Sequence, residues 1–154
     1  MLRVAEKDGA LVSASFVDGA EETEPSVPVL CEAEAWLDRY FAGNDPGQTP
    51  PLAPAGTAFQ KSVRDAIGTV PYGKTVSYSA LAERMGLSPR HARAVGNALH
   101  KNPLLLFVPC HRAIGKNGAL TGFAGGLERK QQLLDRERAL FDGVSYYKIQ
   151  KRKE

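Results

Sequence analysis

The stretch "SYSALAERMGLSPRHARAVGNALH", residues 77–100, decides the fold. Ser77 can cap a helix running from Tyr78 to Met85, which Gly86 ends. Ser88 with Pro89 at the first helical position then starts another helix, running to about His100. Two short helices across a tight glycine-containing turn predict a helix-turn-helix. The second helix sorts by face. Ala92, Val95, Gly96 and Leu99 lie on one side, and Arg90, Arg93, Asn97 and Lys101 lie on the other. Small residues beside positive charge let the backbone of a partner come close. Arginine also suits phosphate and base contacts better than lysine does. A plain solvated basic face is the alternative.

On the C-terminal side, Asn102-Pro103 breaks the helix, and the apolar run Leu104–Val108 predicts a buried strand. It stops at Pro109 and is followed by Cys110, His111 and Arg112. A glycine-rich loop, "GKNGALTGFAGG" (115–126), leads to a last helix from about Leu127 to Leu140. Leu127, Leu133, Leu134 and Phe141 make the apolar stripe of that helix, and Glu137 falls inside it. A carboxylate facing a core needs a partner. At the edge of the stripe it would simply reach water. The candidate partner is His111, beside a possible thiol nucleophile. A Glu–His–Cys chain is the logic of an activated thiol, in which the acid orients the imidazole and the imidazole takes the proton. The alternative is that Cys110 is one more buried small hydrophobe. Adjacent residues on a regular strand point to opposite faces, so the constellation requires the chain to turn at Pro109–His111 or a water to relay the proton.

On the N-terminal side, Thr57 can cap a helix carrying Phe59, Val63, Ala66 and Ile67 on one face. Before it, "NDPGQTPPLAPAG" (44–56) packs in four prolines and reads as a linker. The boundary falls near residue 53, giving parts 1–53 and 54–154. The first part opens as a hairpin, Leu2–Lys7 and Ala10–Val17 around Asp8-Gly9. An acidic loop, "GAEETEPSVP" (19–28), follows. Then comes a helix over "CEAEAWLDRYFAG" (31–43), with Trp36/Tyr40 and Leu37/Phe41 at helical spacing. The tail "YYKIQKRKE" (146–154) is basic.

At 154 residues the chain holds one ordinary domain or two small ones. Its net charge of +3 hides a division. Residues 1–53 carry three basic against ten acidic side chains, a net of −7, and residues 54–154 carry 17 against 7, a net of +10. Only the second part suits a polyanion. No run is long and apolar enough to span a membrane, and the N-terminus lacks the apolar centre of a signal peptide, which predicts a cytoplasmic protein. Cys31 and Cys110 lie far apart, so neither a disulfide framework nor a thiol zinc site is expected.

The order and spacing of "GTAFQKSVRDAIGTVPYGKTVSYSALA", "RAVGNALHKNP", "VPCHRAI", "GALTGFAGGLERKQQLL" and "LDRE" resemble the O6-alkylguanine-DNA alkyltransferases, the methylated-DNA–protein-cysteine methyltransferases. The resemblance covers nearly all of 54–140; residues 1–53 share mainly "WLDRYFAG". It implies an α+β fold. A small N-terminal α/β, ribonuclease-H-like domain would precede a mainly helical C-terminal domain with a winged-helix-like helix-turn-helix. It implies DNA repair by direct, stoichiometric, irreversible transfer of the alkyl group from O6-alkylguanine to Cys110, with O4-alkylthymine left open as a second substrate. His111, through water and oriented by Glu137, would favour the thiolate. Tyr78 would help protonate the leaving guanine, and Arg93 would fill the gap left by the flipped nucleotide. The helix carrying Arg90, Ala92, Ala94, Gly96, Asn97 and Lys101 would lie in the minor groove. Asn102 would pin the turn after that helix. Val108, Phe123, Ala124 and Gly125 would line the base pocket, supported by Leu99 and Arg112. Alanine at 124 leaves only a backbone N–H where some relatives offer a serine hydroxyl.

The implied partner is double-stranded DNA containing alkylated guanine, bound by a monomer with no membrane and no obligate protein partner. No cofactor and no metal are expected, and in a prokaryote the protein would be nucleoid-associated. The rival from another class is a non-enzymatic lesion sensor of the alkyltransferase-like type. Such proteins lack the acceptor cysteine, and Cys110 is present here. A helix-turn-helix regulator would need neither the Cys-His-Glu set nor the glycine-rich loop.

Overall fold

In the computed structural model, which describes residues 2–19, 23–123 and 125–142, Asp8 and Gly9 take φ angles of 53° and 84°. This two-residue turn closes β1 (Leu2–Lys7) onto antiparallel β2 (Ala10–Phe16), with one irregularity between Ala5 and Glu6. The first helix, α1 (Pro28–Phe41), starts three residues before the expected Cys31, because Pro28 already supplies helical φ at its first turn. It buries Val29, Ala33, Trp36 and Tyr40, one stripe at helical spacing.

The proline-rich segment expected to be a linker is partly structural. Leu11 N–H donates to the Pro51 carbonyl (2.9 Å), and Ala53 N–H donates to the Leu11 carbonyl (2.8 Å). Farther along β2, Ala14 N–H donates to the Pro103 carbonyl (2.8 Å), and Leu105 N–H returns to Ala14 (3.0 Å). Leu11 and Ala14 are fully buried and share one core with Trp36, Leu104 and Phe107. Trp36 and Phe107 rings lie 4.7 Å apart. The core therefore runs without interruption across residue 53.

Helix α2 (Ala58–Ile67) opens with a complete capping box between Thr57 and Gln60. Val63, Ala66 and Ile67 are buried. Phe59, expected on the same face, is 37% exposed, because that face meets the core only from Val63 onward. Strand β3 (Val76–Ser77) leads directly into α3 (Tyr78–Arg84), with the Ser77 hydroxyl accepting from Ala80 N–H. After Gly86, the chain takes a 3-10 turn over Pro89–His91 before α4 (Ala92–His100). The expected single helix from Pro89 is thus 3-10 in its first turn, where the Ser88 hydroxyl accepts from Arg90 N–H two residues on. Helices α3 and α4 form the helix-turn-helix, and α4 packs against α2.

Leu104–Val108 is buried as expected but is no strand. Leu106 has φ 75°, and Val108 N–H returns to the Leu104 carbonyl at 3.0 Å. Asn102 explains the loop. Its amide oxygen accepts from Leu104 N–H (3.0 Å), and its amide nitrogen reaches the Val108 carbonyl (3.4 Å). One side chain thereby satisfies both ends of a buried apolar turn. A 3-10 turn over Cys110–Arg112 follows, then β4 (Ala113–Ile114), parallel to β3. Helix α5 (Leu127–Asp142) buries Lys130, Leu133, Leu134 and Glu137, while Leu127, expected in the stripe, is 48% exposed at the helix start. The side chain of Phe141, Ala124, and the basic tail lie outside the described residues. The fold is α+β. Among the described residues, no helix is long and apolar enough to cross a membrane.

Candidate active site

The chain turns where the constellation requires it. Pro109 (φ −78°, ψ 56°) leads into the Cys110–Arg112 turn, so Cys110 and His111 are not held on opposite faces of a strand. Cys110 is 5% exposed, and its sulfur accepts from the Asn102 amide at 3.2 Å. Burial pushes the thiol up to about 11, against the smaller lowering effects of Asn102 and the Lys130 charge. Burial in the resting site therefore favours the thiol form.

His111 and Glu137 meet in the interior, with exposures of 0% and 1%. His111 Nε2 lies 2.6 Å from Glu137 Oε2. Arg112 donates from Nε to Oε1 (2.8 Å) and from Nη2 to Oε2 (3.2 Å). The Tyr40 hydroxyl donates to Oε2 at 2.7 Å, and Gly73 N–H to Oε1 at 3.3 Å. Burial alone would raise the Glu137 carboxyl, but the hydrogen bond from His111 and the Arg112 guanidinium outweigh it and hold it at about 2. Burial lowers His111, so its imidazole is neutral near pH 7. A neutral ring that gives Nε2–H to Glu137 keeps a basic lone pair on Nδ1, and Nδ1 is buried with no hydrogen bond. Glu137 thus fixes the tautomer of a base beside Cys110.

The remaining pocket residues divide. Phe123 is buried with its ring 6.4 Å from that of His111. Gly125 lies so close that a Cβ there would stand 2.7 Å from the Phe123 ring and 3.0 Å from Phe16. Leu99, Asn102 and Val108 instead line a cleft of about 260 Å³ facing α2, together with Lys101. On the helix-turn-helix, Arg90, Arg93, Ala94, Gly96 and Asn97 line an open groove of about 740 Å³ with His91, His100 and Gly122. Val95 and Leu99 are buried beneath it. Ala92 is half-buried, and the Gly96 backbone packs on the Tyr78 ring, where a Cβ would make ordinary contact at 3.5 Å. The Tyr78 hydroxyl is 2.9 Å from the Thr121 carbonyl.

Sequence reasoning missed three participants. Tyr40 gave only an aromatic in a helical stripe, with no sign that its hydroxyl reaches 97 residues onward. Gly73 contributes only a backbone N–H. Lys130 was detectable, because it falls in the α5 stripe by the same spacing that singles out Glu137. It is fully buried, and burial lowers its ammonium to about 8 despite the neighbouring Cys110.

Residues 58–139 match the family model for the DNA-binding domain of 6-O-methylguanine DNA methyltransferase. The methylated-DNA–protein-cysteine methyltransferase of Methanosarcina acetivorans is 49% identical over 106 residues, 69% of this chain and 67% of that protein. The corresponding protein of Mycolicibacterium paratuberculosis is 43% identical over 145 residues, covering 90% and 86%. Among solved structures, Mycobacterium tuberculosis OGT in complex with DNA superposes with a TM-score of 0.79 at 38% identity, covering 90% of this chain and 87% of that one.

Proposed function

The chain belongs to the methylated-DNA–protein-cysteine methyltransferases, enzymes of DNA repair by alkyl transfer, and on that premise we propose that Cys110 accepts the alkyl group of O6-alkylguanine in double-stranded DNA. The observation that carries this reading is the site's composition. A buried thiol held by Asn102 adjoins a neutral imidazole whose tautomer is set by a buried, fully partnered carboxylate. Sγ attacks the alkyl carbon as the carbon–O6 bond breaks. The bond electrons pass to O6, and the thiol proton ends on the restored guanine. Nδ1 of His111 receives that proton first, through a water, because Sγ bonds Asn102 and makes no hydrogen bond to the imidazole. Tyr78 serves the leaving base from the other side. The thioether has no route back, so each molecule acts once.

A thiol 5% exposed cannot reach a base within the duplex, so the target nucleotide must leave the stack. The exposed edge of α4 with Arg93 and Asn97, together with Arg90 in the 3-10 turn before it, enters the minor groove, and Arg93 fills the vacated place. Residues 54–154 then bind DNA and accept the alkyl group, and residues 1–53 support them through the shared core and the Tyr40 bond to Glu137.

Incubation with a duplex containing one O6-methylguanine should add one methylene's mass to the peptide containing Cys110 and restore guanine. No gain despite tight binding would overturn the acceptor assignment. Replacing Arg93 with alanine should slow transfer from duplex DNA by about tenfold or more while changing reaction with free O6-benzylguanine little, since only the duplex imposes the flipping cost. Equal losses on both substrates would remove Arg93 from that role.

A further inference from the structure

Strand β2 touches the chain on both sides of Cys110. At Ala14 it hydrogen-bonds Pro103 and Leu105, where the buried turn leading to the cysteine begins. Two residues on, at the end of the strand, the half-buried Phe16 packs against the glycine-rich loop that follows the cysteine. A Cβ on Gly125 would stand 3.0 Å from the Phe16 ring and 2.7 Å from the Phe123 ring, so the loop backbone lies close against both. Phe123 is buried in turn, with its ring 6.4 Å from that of His111. Contact therefore runs from Phe16 through Gly125 and Phe123 to the residue beside Cys110.

Arg129, in the first turn of α5, holds the same place. Its Nη1 donates to the Gly125 carbonyl at 3.2 Å, and its guanidinium carbon lies 4.7 Å from the Phe16 ring centroid. A guanidinium stacked on a ring keeps its N–H groups available, so one side chain can grip the hairpin and the loop together. Asp18, two residues beyond Phe16, stands 3.7 Å from Nη2 of the same arginine. Thr121, at the other end of the loop, is tied to Tyr78. Packed interiors yield little, so Phe123 and Gly125 cannot retreat from the Cys110–Arg112 turn while Phe16 stays behind them. Resting on the alkyl-acceptor reading above, we propose that Phe16 and Arg129 are positioning residues that hold Phe123 and Gly125 in place beside that turn and thereby limit the size of the alkyl group that Cys110 accepts. They act through the loop and touch no reacting atom.

The test compares single-turnover transfer from one duplex carrying O6-methylguanine and from the same duplex carrying O6-benzylguanine. Phe16→Ala opens room into which the Phe123 ring can retreat, so the benzyl-to-methyl rate ratio should rise by about tenfold. Arg129→Met keeps an apolar stem over Phe16 but loses the bond to Gly125, and should raise the ratio by roughly threefold. Phe16→Leu refills most of the space and should return the ratio to within about twofold of wild type. A merely structural loss lowers the folded fraction and slows both substrates alike, so the ratio cancels it. Unchanged ratios in Phe16→Ala and Arg129→Met would overturn the proposal. Should Phe16→Ala fail to fold, Arg129→Met decides, because its side chain is 40% exposed and the site tolerates replacement. A wild-type protein that leaves Cys110 unmodified would instead refute the alkyl-acceptor reading. Reaction of Cys110 with methyl and benzyl methanethiosulfonates, in a Cys31→Ser background, then judges the brace: the same ratios should rise, and unchanged ratios would overturn it.

Discussion

Cys110→Ser abolishes alkyl transfer, by at least about 10³-fold, and leaves binding to O6-methylguanine duplex within about twofold. Two features of the site carry this expectation. A serine hydroxyl is smaller but can still accept from the Asn102 amide that now bonds Sγ at 3.2 Å. The loop closed by Asn102 from Leu104 to Val108 is held by other atoms and should persist. The chemistry does not persist. Even the thiol is pushed up to about 11 by burial, and an alcohol in the same place lies much farther from its anion. A neutral imidazole oriented by Glu137 can relieve a thiol of its proton but has too little basicity for an alcohol. Peptide mass after incubation measures transfer, and band shift on the same duplex measures binding. Loss of both would make Cys110 a structural residue. Retained transfer would move the acceptor elsewhere, with the exposed Cys31 the other free thiol among the described residues. For that reason Cys31→Ser belongs in the same experiment, where it should change nothing.

What was legible in the sequence was whatever local physics determines. Asp8-Gly9 makes the hairpin turn, Thr57 and Gln60 make the capping box, and the Ser77–His100 pattern makes two helices with a basic outer edge, because each depends on residues a few positions apart. Glu137 was legible as a problem: a carboxylate in an apolar stripe demands partners. Which partners answer depends on tertiary contacts that no short window contains, and Tyr40, Gly73 and Arg112 arrive from three other segments. Leu104–Val108 misled for a related reason. Apolar content reports burial and not backbone path, and the positive φ of Leu106 follows from Asn102 closing the loop from outside the run. Lys130 shows the opposite failure. Its spacing gave the same warning as Glu137, but a long side chain on a helix is readily assumed to reach water.

Glu137→Gln should destabilise the fold by about 3–5 kcal/mol, because the Arg112 guanidinium spans both carboxylate oxygens, and the amide removes the charge and puts an NH2, which cannot accept, in place of one of them. For a chain of this size that corresponds to a fall in Tm of roughly 6–20 °C. The pH dependence isolates the cause. The folded carboxyl lies at about 2 against an ordinary value of 4.5. The unfolded chain therefore binds this proton first as pH falls. The stability that Glu137 contributes is fully present above about 4.5 and is lost as pH drops from there towards 2. His111 adds an earlier loss that begins below its ordinary 6.5, since the buried ring resists the proton that the unfolded ring accepts. Thermal melts from about pH 7 to about pH 2 should show wild type and variant diverging most at neutral pH and converging below about pH 3. A constant gap across that range would mean that the variant loses packing and not a charged network. Transfer should fall as well. The amide introduced by the substitution can donate as well as accept, so nothing obliges His111 to present Nε2–H to it, and the lone pair on Nδ1 is no longer guaranteed. The carboxylate that ties α1 to α5 through Tyr40 is thus the same one that makes the imidazole a base, and one substitution should weaken both together.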